Sequence, residues 1–237
     1  MNTMQKFSIL ESNIASQETS SRVVLPFDKN GEYYVDNIGD IPAMPIYNFL
    51  KRAFDIFASV IGLIVLLIPM LIIAVVIKCV SYGTVFYKEE RLGLNGIKIQ
   101  VIKFRTMRMD AEAAGAQWSA GDFDPRIFPF GRVLRRSRAD ELQQLLCILK
   151  GDLSFVGPRP ERECFYKEFE TYVHGFSERL KVKPGLTGLA QVSGGYDLKP
   201  EEKIIYDVKY IKTRSVWLDL KIIFQTIGVV FSHDGAK

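Results

Sequence analysis

The stretch RADELQQLLCILKGDLSFVGPRP, from Arg138 to Pro160, sets two carboxylates side by side, Asp140 and Glu141, and closes on an arginine held between two prolines, Arg159. A carboxylate in this position can act as a nucleophile or bind a divalent cation, and an arginine on a fixed backbone suits bidentate recognition of phosphate. Arg135 and Arg138 lie within a few residues of the pair, and a second basic pair, Lys103 and Arg105, ends an earlier apolar stretch. Acids are also enriched at helix starts, where the dipole favours negative charge. Spacing alone leaves both readings open.

The elements that must position these residues are partly legible. Ser137 has the character of an N-cap with Asp140 three residues on. Leu142, Leu145, Leu146 and Leu149 follow at i, i+3, i+4 and i+7, and Lys150 and Gly151 are stop signals. The pattern predicts one helix with the acids in its first turn. Upstream, Val85–Tyr87 and Ile97–Phe104 have strand character with Asn95-Gly96 as turn chemistry, so a hairpin delivers Lys103 and Arg105 at its end. Alternation predicts Ile97, Ile99 and Val101 on one face.

From Ile56 to Ile77 only Ser59 is polar, roughly 22 residues and long enough to span a bilayer. Pro69 interrupts the helix ladder, and basic residues flank both ends, Lys51 and Arg52 before and Lys78, Lys88 and Arg91 after. Both features favour a re-entrant helix–break–helix with its two ends on the same face, bent at Pro69. Asp55, just inside the run, calls for a partner, and Arg52 on the same helical face is the nearest candidate. Further on, DPRIFPFGRVLRRSRADE interleaves arginines with Ile127, Phe128, Phe130, Val133 and Leu134, which fits a membrane interface. Nucleic acid would use similar residues but gives no reason for the apolar run, so no nucleic-acid partner is expected.

The chain of 237 residues is 48% hydrophobic, 24% charged and carries a net charge of +4, which suits anionic partners and excludes a disordered chain or a many-spanning transporter. Cys79, Cys147 and Cys164 read as buried thiols of a reducing compartment, and His174 as structural. The polar N-terminus lacks a signal-peptide pattern. VVLPF and EYYVD are candidate short strands within a loose extension. KVKPGLTGLAQVSGGYD is a Gly-rich loop matching no nucleotide fingerprint, and SVWLDLKIIFQTIGVVF a helix for the core or the interface.

KRAFD, ERLGLNG, KFRTM, ADELQQLLCILKGDLSFVGPRP, KPGLTGLAQVSG and EEKIIYDVKYI, in this order from about Lys51 to the C-terminus, resemble the bacterial sugar transferases, the monotopic polyprenyl-phosphate phosphoglycosyl transferases. The resemblance implies an α+β fold, mostly helical with a small β-hairpin. It implies an N-terminal extension (1–46), a re-entrant membrane helix hairpin (47–82) and a catalytic domain with interfacial helices (83–237) on the cytoplasmic side of the bacterial inner membrane. It implies transfer of a sugar 1-phosphate, glucose or galactose favoured, from a UDP-sugar to undecaprenyl phosphate, with release of UMP, in the assembly of an exopolysaccharide. Asp140 would be the nucleophile and Glu141 its assistant, both placed to hold Mg²⁺. Arg135, Arg138, Arg159, Lys103, Arg105 and Gln191 would bind phosphate or substrate. A homo-oligomer stays open. The chain departs from the family pattern at Gln143 and Cys147, where Pro and Asn are usual, at Ile68, where Ser often precedes the proline, and at Gly195, where Arg is common. A pyrophosphatase using the same acids and a non-catalytic assembly factor are the competing readings.

Overall fold

The long apolar run folds as a single helix, and the rest of the molecule is arranged along one of its sides. The computed structural model describes residues 27–29, 31–35, 37–113, 115, 124–194 and 198–232. Strands β1 (Phe27–Lys29) and β2 (Glu32–Tyr34) pair antiparallel, with Phe27 opposite Tyr34. EYYVD thus supplies a strand, while all of VVLPF except Phe27 lies outside the described residues.

Helix α1 (Pro45–Val80) is 36 residues long and starts on a proline, whose missing N–H costs nothing at a helix start. It is the one helix among the described residues long and apolar enough to cross a membrane. The expected break does not interrupt it: helical structure continues across Pro69. Packing accounts for this, because Leu63 and Leu66 before the proline, and Met70, Ile73, Ala74 and Ile77 after it, rest on the same domain. The opposite side, with Phe57, Ile64, Val65, Ile68 and Val75, is exposed and wholly apolar.

Strands β3 (Phe86–Leu92) and β4 (Lys98–Phe104) form the predicted hairpin. Its turn has Asn95 and Gly96 both at positive φ, 55° and 75°, which favours these two residue types. Ile99 and Val101 are buried as expected, but Ile97 precedes the strand and is 65% exposed.

Helix α2 (Pro129–Arg136) and helix α3 (Gln144–Lys150) replace the single helix expected around the acid pair. Ser137 ends α2 and gives its hydroxyl hydrogen to the carbonyls of Val133 and Leu134, so it is no N-cap. Arg138 then takes left-handed dihedrals (φ 55°), and Asp140 and Glu141 sit in a 3₁₀ turn, Ala139–Glu141. The face of α3 is correspondingly rotated: Leu145, Cys147 and Ile148 are buried and Leu146 is exposed. The arginine–aromatic segment gives several of its apolar residues to the core. Phe128 and Leu134 are core residues packed with Phe104 and Ile77, Ile127 is buried, and Arg126 is held by Asp124 at 2.6 Å; Arg132, Val133 and Arg136 remain exposed.

Strand β5 (Ser154–Val156) is followed by α4 (Glu163–Phe169), β6 (Val173–His174) and β7 (Gly185–Thr187). β6 joins β2 in parallel, and His174 stacks on Tyr34, a structural role as expected. β7 pairs parallel with β5, so KPGLTG is not a loose loop. Gly157, Gly185 and Gly188 pack backbone against backbone, and a Cβ on any of them would lie 2.1–2.4 Å from main-chain atoms.

The chain ends with α5 (Leu189–Gly194), α6 (Pro200–Thr213) and α7 (Val216–Ser232). α6 begins in a capping arrangement, with the Lys199 N–H donating to Glu202 at 2.9 Å. α7 buries Ile222 and exposes Trp217, Phe224 and Ile227, so it serves the core on one side and leaves an apolar stripe on the other. Cys147 is buried as expected, whereas Cys79 and Cys164 are exposed.

Candidate active site

Three carbonyls in a row hold the Pro-Arg-Pro segment. Arg179 donates to the Arg159 oxygen at 2.9 Å, Arg91 donates to that of Pro160, and the Leu92 N–H reaches that of Glu161 at 3.0 Å. Arg179 is itself buried, paired with Asp207 at 2.7 Å and lying over the Phe176 ring at 4.7 Å. The prolines restrict the backbone and these contacts fix its place, so the Arg159 side chain is aimed by a rigid support.

That side chain grips Glu141 with two nitrogens, one at 3.3 Å and the other closer. Burial alone would raise the proton affinity of Glu141; the Arg159 guanidinium, helped by Lys103 and Arg138, outweighs it and keeps the carboxyl well below its ordinary value. Asp140 is the opposite case. It is equally buried, takes no hydrogen bond among the described residues, and burial together with the Glu141 charge holds its pKa above the usual carboxylate range. The fields of Lys103, Arg135 and Arg159 oppose that rise.

The cations around the pair come from separate elements. Lys103 on β4 lies 3.3 Å from Glu89, which also binds Arg91 at 2.7 Å and is gripped by Arg162. Three cations pin that one buried acid, which neither Glu89's nor Arg162's local sequence signalled. Arg135 donates to the Thr106 hydroxyl at 3.0 Å, and its charge acts on Asp140. Arg138 reaches the field of Glu141 because its left-handed turn reverses the chain there.

Arg105 departs from expectation. It is buried and engaged with Thr84, with the Ser81 hydroxyl and carbonyl at 2.8 and 3.0 Å, and with the Met107 carbonyl at 3.1 Å. Alternation puts Lys103 and Arg105 on one face of a strand, but β4 ends at Phe104 and these contacts hold the Arg105 side chain at the end of α1. Gln191 lies on α5, donates to the Leu186 carbonyl at 3.0 Å, and has a buried amide oxygen with no partner. Its neighbour Gly188 packs on Gly157, two residues from Arg159. Gln143, one of the departures from the family pattern, is buried with both amide atoms unpaired.

The donor set fits a small divalent cation only as a shared site. Among the described residues no group of three or more His, Cys, Asp or Glu side chains gathers to cage a metal. Mg²⁺, however, characteristically takes one or two carboxylates and completes its shell with water and substrate phosphates. Asp140, unbonded and repelled by Glu141, is a carboxylate that such a cation would stabilise.

Residues 46–233 match the model of a family described as Bacterial sugar transferase. The chain is 40% identical over 205 residues to a UDP-N-acetylgalactosamine-undecaprenyl-phosphate N-acetylgalactosaminephosphotransferase of Aeromonas hydrophila, covering 85% of this chain and 48% of that protein. It is 35% identical to a UDP-glucose:undecaprenyl-phosphate glucose-1-phosphate transferase of Escherichia coli (strain K12), covering 85% of this chain and 46% of that one. It is also 36% identical to the exopolysaccharide production protein ExoY of Rhizobium meliloti (strain 1021), covering 81% of this chain and 90% of that one. The chain thus spans about half the length of the first two relatives and nearly all of the third. With the family matched over most of its length, and with the acid pair, its arginine and the apolar helix in place, the chain belongs to the bacterial sugar transferase family.

Proposed function

We propose that this protein transfers a hexose 1-phosphate from a UDP-sugar to undecaprenyl phosphate at the cytoplasmic face of the bacterial inner membrane, in exopolysaccharide assembly. The observation that carries this reading is the unequal acid pair: Glu141 is neutralised by Arg159, while the adjacent Asp140 is buried, unbonded and ringed by Lys103, Arg135 and Arg159. A nucleophilic carboxylate must not be tied up by hydrogen bonds, and phosphoryl transfer needs cations where charge develops.

In the proposed sequence an Asp140 oxygen attacks the phosphorus that carries the sugar, and the bond from that phosphorus to the bridging oxygen breaks. UMP leaves with the electron pair. An oxygen of undecaprenyl phosphate then attacks the same phosphorus and returns Asp140 as a free carboxylate. Arg159, Arg135 and Lys103 hold the phosphate oxygens during both steps, and Gln191 would contact the nucleotide sugar. Mg²⁺, held by Asp140 with Glu141 beside it, would supply further neutralisation of the diphosphate. Arg138 acts through the charge of Glu141, and Arg105 is left to structure.

The lipid substrate calls for a site at the membrane. Both ends of α1 rest on the same domain, Tyr47 on Tyr210 and Asp219 at one end and Ile77 on Phe104 at the other. This supports insertion into one leaflet with both ends on one face, since a helix leaving the domain to cross the bilayer would lose one of those contacts. Relatives carry glucose, galactose and N-acetylgalactosamine in their names, which supports a UDP-hexose donor, glucose and galactose being the first to try.

The test is UMP release by protein in nanodiscs across UDP-glucose, UDP-galactose and UDP-N-acetylgalactosamine, with Mg²⁺, with and without undecaprenyl phosphate. Release that requires one sugar and the lipid supports the transferase. Free sugar phosphate without lipid-linked product would favour a pyrophosphatase, and no turnover with any donor would favour the assembly-factor reading.

A further inference from the structure

The apolar helix carries three charged residues, Lys51, Arg52 and Asp55, at its N-terminal border, and Arg52 and Asp55 do not pair with each other as their spacing predicts. Arg52 gives its two terminal nitrogens to the carbonyls of Ile148 and Leu149, both at 2.7 Å. Asp55 accepts from the Phe155 N–H at 3.0 Å and from the Ser154 hydroxyl at 3.1 Å. Lys51 fixes the same turn to α7 through Asp219 at 2.7 Å. Burying a carboxylate beside an apolar stretch is costly unless every contact is made, and an anchor would need only the apolar packing that α1 already has.

The partners explain the choice of charged groups. Ile148 and Leu149 are in the last turn of α3: the Ile148 carbonyl accepts only the capping Gly151 N–H at 3.0 Å, and the Leu149 carbonyl lies beyond the helical ladder. Gly151, the left-handed cap of that helix (φ 104°), faces Arg52, and a Cβ there would meet the guanidinium at 3.4 Å. Phe155 is the middle residue of β5; its neighbours Ser154 and Val156 pair with β7, so its own N–H points away from the sheet and needs another acceptor. Helix α3 starts three residues after Glu141, and β5 ends three residues before Arg159. One turn of the membrane helix thus grips the far end of α3 and the start of β5, the unit that separates the acid pair from its arginine.

We propose that Arg52 and Asp55 are positioning residues: the turn Lys51–Asp55 of the membrane helix sets the placement of Arg159 relative to Asp140 and Glu141. This rests on the transferase reading for its kinetic consequence, but not for its structural one. The clamp makes the membrane segment part of the site's framework. Loosening it lets β5 and the Gly157–Pro160 segment shift, which weakens the hold of Arg159 on Glu141.

Hydrogen exchange and UMP release are measured together on the full chain in nanodiscs, for wild type, Arg52→Ala, Asp55→Ala and Asp55→Asn. Expected is exchange about 10-fold faster in peptides covering 144–160 for both alanine variants, with α6 unaffected and the protein still membrane-bound. UMP release falls about 10- to 100-fold. Asp55→Asn keeps an acceptor for the Phe155 N–H and restores most of both readouts. Unchanged exchange in 144–160 overturns the proposal whatever the activity. So does an Asp55→Asn variant as impaired as Asp55→Ala, because the acceptor for the Phe155 N–H is then not what matters. If the wild type releases no UMP while the exchange result holds, the transferase reading fails and the clamp stands.

Discussion

Asp55 and Asp140 are both buried aspartates, 2% and 9% exposed, in two regions that the fold treats in opposite ways. In the KRAFD turn, Asp55 accepts two hydrogen bonds, Arg52 satisfies two carbonyls, and Lys51 is paired with Asp219. In the ADE turn, Asp140 accepts none among the described residues, and its sequence neighbour Glu141 is another acid whose charge opposes its own. A bonded buried carboxylate stabilises the fold; an unbonded one beside a like charge opposes it. The second arrangement persists because the site needs a carboxylate free to react, supported by cations on rigid elements. A third pair, Arg179 with Asp207, shows the structural mode again: enclosed by aromatic rings, it holds the Arg159 carbonyl and touches no open group.

The comparison predicts its own sharpest break. Asp140→Asn should lower UMP release by roughly 10³-fold or more while leaving the melting temperature equal or higher, since a repelled buried charge is removed. The sign with pH follows from the raised pKa. The native state keeps a proton on Asp140 that the unfolded chain releases, so stability contributed by the protonated form is lost as pH rises from the ordinary carboxylate range towards neutrality. Melting curves of wild type and Asp140→Asn should therefore diverge as pH increases through that window, with the variant the more stable.

Arg159→Ala should be next in size, because it leaves Glu141 buried without its partner, at a cost of about 3–5 kcal/mol. The depressed pKa of Glu141 would return upward, so the acid limb of UMP release would move to higher pH, measurable as a pH–rate profile on whatever activity remains. Arg105→Ala should separate the two basic residues at the end of β4. It should cost about 2–4 kcal/mol of stability through the lost contacts to Ser81 and Thr84, seen in denaturant melts, without moving the pH–rate profile. Lys103 variants should move it.

The smallest effect expected is a gain. Gln143 has no partner for either amide atom in a buried position, so Gln143→Leu should raise stability by about 1–2 kcal/mol, read as a higher melting temperature. A fall instead would mean that the amide is engaged by a group from the undescribed segments, or by substrate, and a rise in KM for the UDP-sugar would single out the latter.

Much of this site was visible in the chain. The adjacent acids, the arginine between prolines, the hairpin with its Asn-Gly turn and the apolar run are local features, and each rests on backbone preferences or patterns that act over a few residues. The Gly151 cap and the Pro200 start of α6 are of the same kind. What the chain alone misassigned were features decided by distant partners. The Ser137 signal pointed to a helix start, but packing of α2 against β4 made it an end and put the acids in a separate turn. The aromatic residues at 127–134 suited a membrane until Phe104 and Ile77 were placed against them.

Asp55 and Arg52 show the division most plainly. Their spacing on one helical face determined that they could meet, and the sequence by itself determined that an apolar helix would carry both. Only the tertiary structure decided that each would instead bind a main chain some hundred residues away, because the carbonyls that end α3 and the outward N–H in the middle of β5 take charged partners more readily than the two side chains take each other.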